Sequence, residues 1–184
     1  MKSFLLQTIV LCMGTSLLAQ DLFTIPSDLV FQRNPDFIAG TSKKLPSCIF
    51  RFYTEPTSEF LDKLHPRTEG DALLLDTGAA LQAGARKISI NFISKPSSAE
   101  NLKAGNKTMT ISFQGPSGTS AILYMEGISK EGKHTFFKKR VPFSGKPQTD
   151  SLQATFPAMK TLFCRCDFTE KGIVRIQKVL FENK

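Results

Sequence analysis

Apolar and polar residues alternate along much of the chain beyond residue 27, which is the pattern of strands that bury one face. In one such stretch Ile88, Ile90 and Phe92 alternate with Ser89 and Asn91. Successive side chains of a strand point to opposite faces, so a period of two separates the apolar set from the polar set. The pattern therefore predicts antiparallel sheets with one buried and one solvated face.

Ten segments carry this strand pattern, and stretches rich in Gly, Pro, Ser and Asn separate them. The predicted strands are 29–32, 48–53, 72–75, 86–94, 108–114, 120–126, 134–143, 151–156, 161–168 and 173–181. Many short strands at this spacing are typical of an antiparallel sandwich or barrel. A single helical turn is predicted, at 58–64. The sequence thus predicts an all-β protein with one domain.

Residues 1–19 have the three parts of a secretory signal peptide. Lys2 supplies the positive charge, residues 4–18 form the apolar segment, and Ala19 offers a small residue for cleavage. The apolar segment is shorter than the roughly 20 residues that a membrane-spanning helix needs. We expect a protein without a membrane span that is secreted, periplasmic or at the cell surface, with its domain at 20–184.

Basic residues outnumber acidic ones, 24 to 16, which gives a formal net charge of +8. They are scattered along the chain, with the densest run at 138–140. A nucleic-acid-binding domain gathers its basic residues on one helix or patch, so no nucleic-acid partner is expected. We interpret the charge as a solvated basic surface that favours anionic partners.

Three cysteines follow the signal peptide: Cys48, Cys164 and Cys166. In an oxidising compartment one disulfide would leave one thiol over. Cys164 and Cys166 are two apart on one predicted strand, so they face the same way and are poorly placed to bond each other. Two alternatives follow: Cys48 bonds one of them, or the cysteines stay as buried free thiols.

Five segments follow one another in an order typical of a family of extracellular domains. The opening segment reads as an Asn-Pro turn, a buried Phe37, a turn at Gly40 and a Leu-Pro entry into a new strand. The matching segments are 34–46, 70–75, 86–95, 132–143 and 173–181. They resemble the motifs of carbohydrate-binding-module-like domains in the galactose-binding-like superfamily. The resemblance implies a jelly-roll β-sandwich and a non-catalytic module that binds carbohydrate or another extracellular polymer.

The chain departs from the family at positions that the resemblance links to calcium and to sugar. Ile38 stands where the family often carries Glu, and Gln177 and Lys178 stand where it carries an acidic pair. Those carboxylates commonly help to hold a structural calcium ion, which needs several hard oxygen ligands, so we expect no such site. The chain has no Trp, which leaves Tyr53, Tyr124 and some Phe residues as flat platforms for sugar rings.

The sharpest enzyme-like motif is an apolar strand followed by Asp76-Thr77-Gly78, which matches retroviral-type aspartic proteases. In those enzymes two carboxylates, one from each subunit, share a proton. No glycine-rich flap and no later apolar-apolar-Gly segment follow the motif. Because Asp and Gly are favoured in turns, a strand and a turn is our interpretation, and the protease is an alternative.

The other residues that could carry chemistry do not form a recognisable set. His65 and His134 are far apart, and neither has a metal-ligating neighbour at a suitable spacing. Residues 164–166 form a Cys-x-Cys, but a structural zinc needs four ligands and no second pair exists. We therefore expect no catalytic residue, no metal and no cofactor.

A binding face on the polar side of the predicted strands is what remains. Amides, guanidiniums and tyrosines there can bind sugar hydroxyls through paired hydrogen bonds and stacking. The candidate ligand-binding residues are Arg51, Tyr53, Asn91, Tyr124, Glu126, Arg140 and Arg165. A polysaccharide or glycan is the expected partner, and the alternative is a structural β-sandwich that binds another extracellular protein. A groove with aromatic residues favours the first, and a flat, charged sheet favours the second.

Overall fold

The structure is a computed structural model that describes residues 20–26, 28–42, 45–92 and 102–183. The predicted signal peptide at 1–19 lies outside the described residues. So do the last two residues of the strand predicted at 86–94, and so does the side chain of Cys48.

Thirteen strands, one 3-10 helix and one short α-helix make up the described part of the chain. In chain order they are β1 (Gln20–Thr24), β2 (Val30–Arg33), β3 (Ile38–Ser42), β4 (Leu45–Glu55), the 3-10 helix (Ser58–Lys63), β5 (Arg67–Glu69), β6 (Ala72–Asp76), α1 (Gly78–Ala83), β7 (Lys87–Phe92), β8 (Gly105–Gln114), β9 (Ser120–Ile128), β10 (His134–Pro142), β11 (Gln148–Phe156), β12 (Thr161–Phe168) and β13 (Ile173–Asn183). The ten predicted strands and the predicted helical turn are all present, whereas β1, β3, β5 and α1 were not predicted. Neither helix of the described chain is long and apolar enough to cross a membrane.

The strands form two sheets that pack face to face. One has seven strands in the order β10-β9-β12-β7-β4-β3-β2, and the other has six, in the order β11-β8-β13-β6-β5 with β1 also paired to β13. The strand pairs are antiparallel in both sheets. This is an antiparallel jelly-roll β-sandwich, so the predicted fold class is confirmed.

The core lies between the inward faces of the two sheets. Phe50, Phe52 and Phe92 of the seven-stranded sheet are buried, and the rings of Phe50 and Phe92 meet edge-on with centroids 5.9 Å apart. Cys164 and Cys166 lie in the same core as free thiols, as in one of the two predicted alternatives. Burial raises the pKa of Cys164 to about 12 and that of Cys166 well above its usual value, so both thiols stay protonated at neutral pH.

The opening segment differs from its predicted form at two positions. Gly40 lies inside β3 and not in a turn. A Cβ atom there would lie 3.1 Å from Cδ2 of Phe50 and 3.3 Å from Cε1 of Phe31, so this glycine serves close packing. Phe37, predicted to be buried, is half-buried, and its ring centroid lies 5.9 Å from that of Tyr53.

The Asp76-Thr77-Gly78 segment, predicted as a turn, instead ends β6 and begins α1. The residues that follow are Ala, Ala, Leu, Gln and Ala, which are good helix formers. The helix ends at Gly84, whose φ of 121° is accessible mainly to glycine. Oδ1 of Asp76 accepts a hydrogen bond of 2.8 Å from the backbone N–H of Gly78, which fixes the corner between strand and helix.

Candidate functional site

The outward surface of the seven-stranded sheet, which we call the outer face, carries all seven candidate ligand-binding residues. Arg51 of β4 pairs with Asn91 of β7, Asn91 pairs with Arg165 of β12, and Arg165 pairs with Tyr124 of β9. These four side chains therefore share one face. Alternate residues of the same strands and of β10 add Tyr53, Glu126 and Arg140.

Five side chains of the outer face form a row that crosses the strands. Lys138 of β10 pairs with Tyr124 and extends the line through Arg165 and Asn91 to Arg51. Neighbouring strands are about 4.8 Å apart, so this central row is about 19 Å long. The sequence pattern placed four of its members on one face, and their alignment follows from the strand register.

A second row, beside the central one, carries two exposed phenylalanines. Phe136 of β10 pairs with Glu126 of β9, and Glu126 pairs with Phe163 of β12. Phe136 is 63% exposed and Phe163 is 43% exposed. Oε1 of Glu126 lies 2.8 Å from Nδ1 of His134. Neither phenylalanine was among the predicted site residues, although each lies on the polar side of a strand that alternates.

A shallow depression of about 210 Å³ lies where the two rows meet. It is lined by Asn91, Tyr124, Glu126, Phe163 and Arg165, four of which were predicted. Oδ1 of Asn91 is buried and accepts no hydrogen bond from any residue that the structure describes. A buried acceptor without a donor costs free energy, so the depression suits a ligand that brings a hydroxyl group.

Two arginines of the outer face lie over aromatic rings. Cζ of Arg165 is 4.3 Å from the ring centroid of Tyr124, and Cζ of Arg51 is 4.7 Å from that of Phe37. Such contacts are worth about 0.5–1 kcal/mol at exposed sites. They hold the guanidinium groups in place, and the first of them covers part of the Tyr124 ring. The Tyr124 ring, predicted as a platform, is therefore partly covered, whereas Phe136 and Phe163 are exposed.

The outer face also buries a carboxylate that was not predicted, that of Asp167 in β12. Its side chain is fully buried, with Oδ1 3.0 Å from Nε of Arg165 and Oδ2 3.8 Å from Nζ of Lys87. Burial raises the pKa of Asp167, and the Ser89 hydroxyl and the two cations oppose that rise. The two groups attract each other electrostatically at this distance without forming a hydrogen bond, so Asp167 acts as a positioning residue for that guanidinium.

Tyr53 and Arg140 lie on the outer face but not at the depression. Nη2 of Arg140 donates to Oε1 of Glu170 at 3.0 Å, and its Nε donates to Oγ of Ser120 at 2.9 Å. These bonds hold the side chain near one end of the strands. Three predicted residues do not line the depression: Arg51, Tyr53 and Arg140.

The residues at the family-type calcium positions offer no carboxylate. Ile38 is a buried apolar residue of β3, Gln177 is half-buried and Lys178 is exposed in β13. Within the described ranges, no three or more His, Cys, Asp or Glu side chains form a group that could hold a metal ion. The donor set is thus unlike that of a calcium site, which is built from several oxygen ligands.

Comparisons with known proteins concern the fold. No protein-family model matches the chain, and no curated protein matches it. The solved structures that it resembles are mostly carbohydrate-binding modules, including members of families 4, 16, 22, 29 and 61.

Three of these structures show the extent of the likeness. The enzymatically active domain of tailspike protein 4 from bacteriophage CBA120 is 9% identical, with a TM-score of 0.49, over 85% of this chain and 19% of that one. A family 16 carbohydrate-binding module is 9% identical (TM-score 0.45), over 66% of this chain and 86% of the module. The CBM22-1 xylan-binding domain of Paenibacillus barcinonensis Xyn10C is 12% identical (TM-score 0.43), over 66% and 80%.

The chain thus spans about a fifth of the tailspike structure and most of the length of the two modules. At these identities the likeness concerns the fold alone. That fold is a β-sandwich like that of carbohydrate-binding modules.

Proposed function

We propose that this chain is an exported, non-catalytic module that binds a polysaccharide or another glycan on its outer face. The observation that carries the proposal is the depression in which exposed Phe163 lies beside the polar groups of Asn91, Glu126 and Arg165. A sugar ring has an apolar face and a rim of hydroxyl groups. It binds where an aromatic ring lies next to donors and acceptors that are already held in place.

The two phenylalanines support a glycan that crosses the strands. Phe136 and Phe163 are two strands apart, about 10 Å, and Glu126 lies between them. One sugar ring stacks on Phe163 while the chain continues towards Phe136. Asn91 Oδ1 accepts from a hydroxyl group in the depression, and Arg165 donates to one. Because contacts within the protein already hold Arg165, binding costs little side-chain entropy.

The arrangement of acids on the outer face supports binding without hydrolysis. Glycosidases use two carboxyl groups about 5–9.5 Å apart that flank the scissile bond. Asp167 is opposite Ile122, four residues from Glu126 on β9, which is an offset of about 13 Å along the strand. The Asp167 carboxylate is moreover fully buried, so a glycan in the depression does not reach it.

The test is glycan binding by the wild-type protein and by Phe163→Ala. We expect the wild type to bind at least one member of a polysaccharide panel, measured by affinity electrophoresis and then by calorimetry. Phe163→Ala should weaken that binding by about tenfold or more, because a central aromatic anchor is worth about 2 kcal/mol. Phe136→Ala should have a smaller effect, since Phe136 lies outside the depression.

The matched control is Ile173→Ala, which removes an exposed apolar side chain (51% exposed) from the other sheet. It should leave affinity unchanged. Retention of no polysaccharide by the wild type would overturn the proposal and favour the alternative, a β-sandwich that binds another protein. Wild-type binding that Phe163→Ala leaves intact would remove the outer face as the binding site.

Export is supported by the charged start, apolar segment and small residue of positions 1–19. When the full chain is expressed in a host with a general secretion system, the exported product should begin at Gln20. Its intact mass measures this. Recovery of the full-length chain from the cytoplasm alone would contradict the proposed export.

A further inference from the structure

Two cationic side chains flank Tyr124 on the central row. Lys138 on β10 and Arg165 on β12 are both paired with Tyr124 of β9, one on each side. With neighbouring strands about 4.8 Å apart, their backbones are about 10 Å apart. The remaining members of the central row, Asn91 and Arg51, carry no negative charge. The row that borders the depression therefore carries three cationic side chains and no acidic one.

Lys138 is exposed and forms no ion pair with any residue in the described part of the chain. Its two neighbours behave differently. Lys139 pairs with Asp150, and Arg140 pairs with Glu170. The charge of Lys138 is thus available to a ligand.

Arg165 also has hydrogen-bond donors that are available to a ligand. Its Nε lies 3.0 Å from Oδ1 of Asp167, and its two Nη groups donate to no side chain or carbonyl of the described residues. A guanidinium with two Nη groups available binds a carboxylate or a sulfate through parallel hydrogen bonds. The contact with the Tyr124 ring restricts the movement of the guanidinium.

The acidic groups in this part of the outer face are already engaged. Glu126 lies 2.8 Å from the ring of His134. Asp167 is fully buried and is paired with Arg165 and Lys87. An anionic group beside Tyr124 therefore has a cation on each neighbouring strand, and Glu126 lies one row away.

We propose that the glycan is anionic, and that one of its carboxylate or sulfate groups binds beside Tyr124 between Lys138 and Arg165. This inference rests on the proposed function, because it names the class of glycan that the outer face selects. Attraction by two cations raises affinity and the rate of association, and both effects weaken as salt screens the charges.

The experiment compares glycans that share a backbone type and differ in charge. Polygalacturonate is paired with highly methyl-esterified pectin for the carboxylate, and a sulfated galactan is paired with agarose for the sulfate. The wild type should bind the charged member of at least one pair more tightly, and the difference should shrink between about 20 mM and 500 mM salt. The pair that responds identifies the anionic group.

Three variants locate the effect. Lys138→Gln should lower affinity for the charged member about two- to fivefold, the factor that an exposed ion pair is worth, and leave the neutral member unchanged. Lys138→Arg should retain the preference. Lys146→Gln removes the same charge from the exposed loop after β10, so it is the matched control and should leave the preference intact.

Each outcome separates this inference from the proposed function. If the wild type binds the charged and neutral glycans of each pair equally, and Phe163→Ala binds them more weakly, the inference is overturned and the proposed function is retained. If Lys138→Gln and Lys146→Gln lower the affinity for the charged glycan equally, the net charge of the protein alone attracts the glycan. This result would also overturn the inference. Binding of no glycan would overturn both. A preference that only Lys138→Gln reduces would support the anionic site.

Discussion

Phe92→Ala lowers the free energy of unfolding by about 3–5 kcal/mol, the range for truncating a buried phenylalanine. The Phe92 side chain is 1% exposed on the inward side of β7, and its ring meets that of Phe50 edge-on. Truncation removes this contact and leaves a cavity between the sheets that rigid strands do not refill. Urea unfolding followed by far-UV circular dichroism measures the change.

Phe163→Ala is the matched control, because it makes the same chemical change on the outward side of β12. Because 43% of Phe163 is exposed, we expect its free energy of unfolding to fall by about 1 kcal/mol or less. The pair thus separates the two faces of one sheet: Phe92 stabilises the sandwich, and Phe163 serves the proposed binding site. A loss in Phe163→Ala as large as in Phe92→Ala would contradict the assignment of faces and would confound the binding test.

The fold could be predicted from the sequence because alternation in a strand is a local property. Ile88, Ile90 and Phe92 point inward in β7 as their spacing predicts, and Asn91 points outward. The same reasoning placed Tyr124 and Arg165 on the outward side. Choosing polar and aromatic residues at the outward positions of the predicted strands was therefore enough to find four of the five side chains that line the depression.

What could not be predicted depends on contacts between distant segments. Asp167 contacts Arg165 of its own strand, but it is also opposite Ser89 and near Lys87 of the neighbouring strand β7, and the local sequence does not signal these contacts with β7. Gly40 resembles a turn residue until Phe31 and Phe50 are seen to pack against it. Register between strands, which aligns the central row and the two exposed phenylalanines, is likewise set by tertiary structure and not by any one segment.

The start of α1 also depends on contacts between distant segments. The stability of variants at Asp76 and Thr77 therefore distinguishes a binding module from a protease. The Thr77 side chain is fully buried, and its hydroxyl lies 2.9 Å from the backbone oxygens of Glu170 and Gly172. It also accepts a hydrogen bond of 2.9 Å from the N–H of Gly172. This one hydroxyl therefore ties the end of β6 to the loop before β13.

Thr77→Val should consequently lower the free energy of unfolding by about 1–3 kcal/mol, because it keeps the shape of the side chain and leaves the Gly172 N–H without its partner. Asp76→Asn should change it by about 0.5 kcal/mol or less, because an Asn Oδ1 still accepts from the Gly78 N–H. Denaturant unfolding of both variants measures the difference, and glycan binding should survive in Asp76→Asn.

In a protease the Asp76 carboxylate would be the essential group, because the catalytic dyad needs an ionisable carboxylate from each subunit at this position. We expect no peptide cleavage by the wild type between about pH 3 and pH 7, a window that covers the pKa values of such a dyad. Cleavage by the wild type that disappears in Asp76→Asn, with stability unchanged, would refute the binding module. If the wild type cleaves no peptide and only Thr77→Val loses stability, the motif that looks most like an active site is a structural corner.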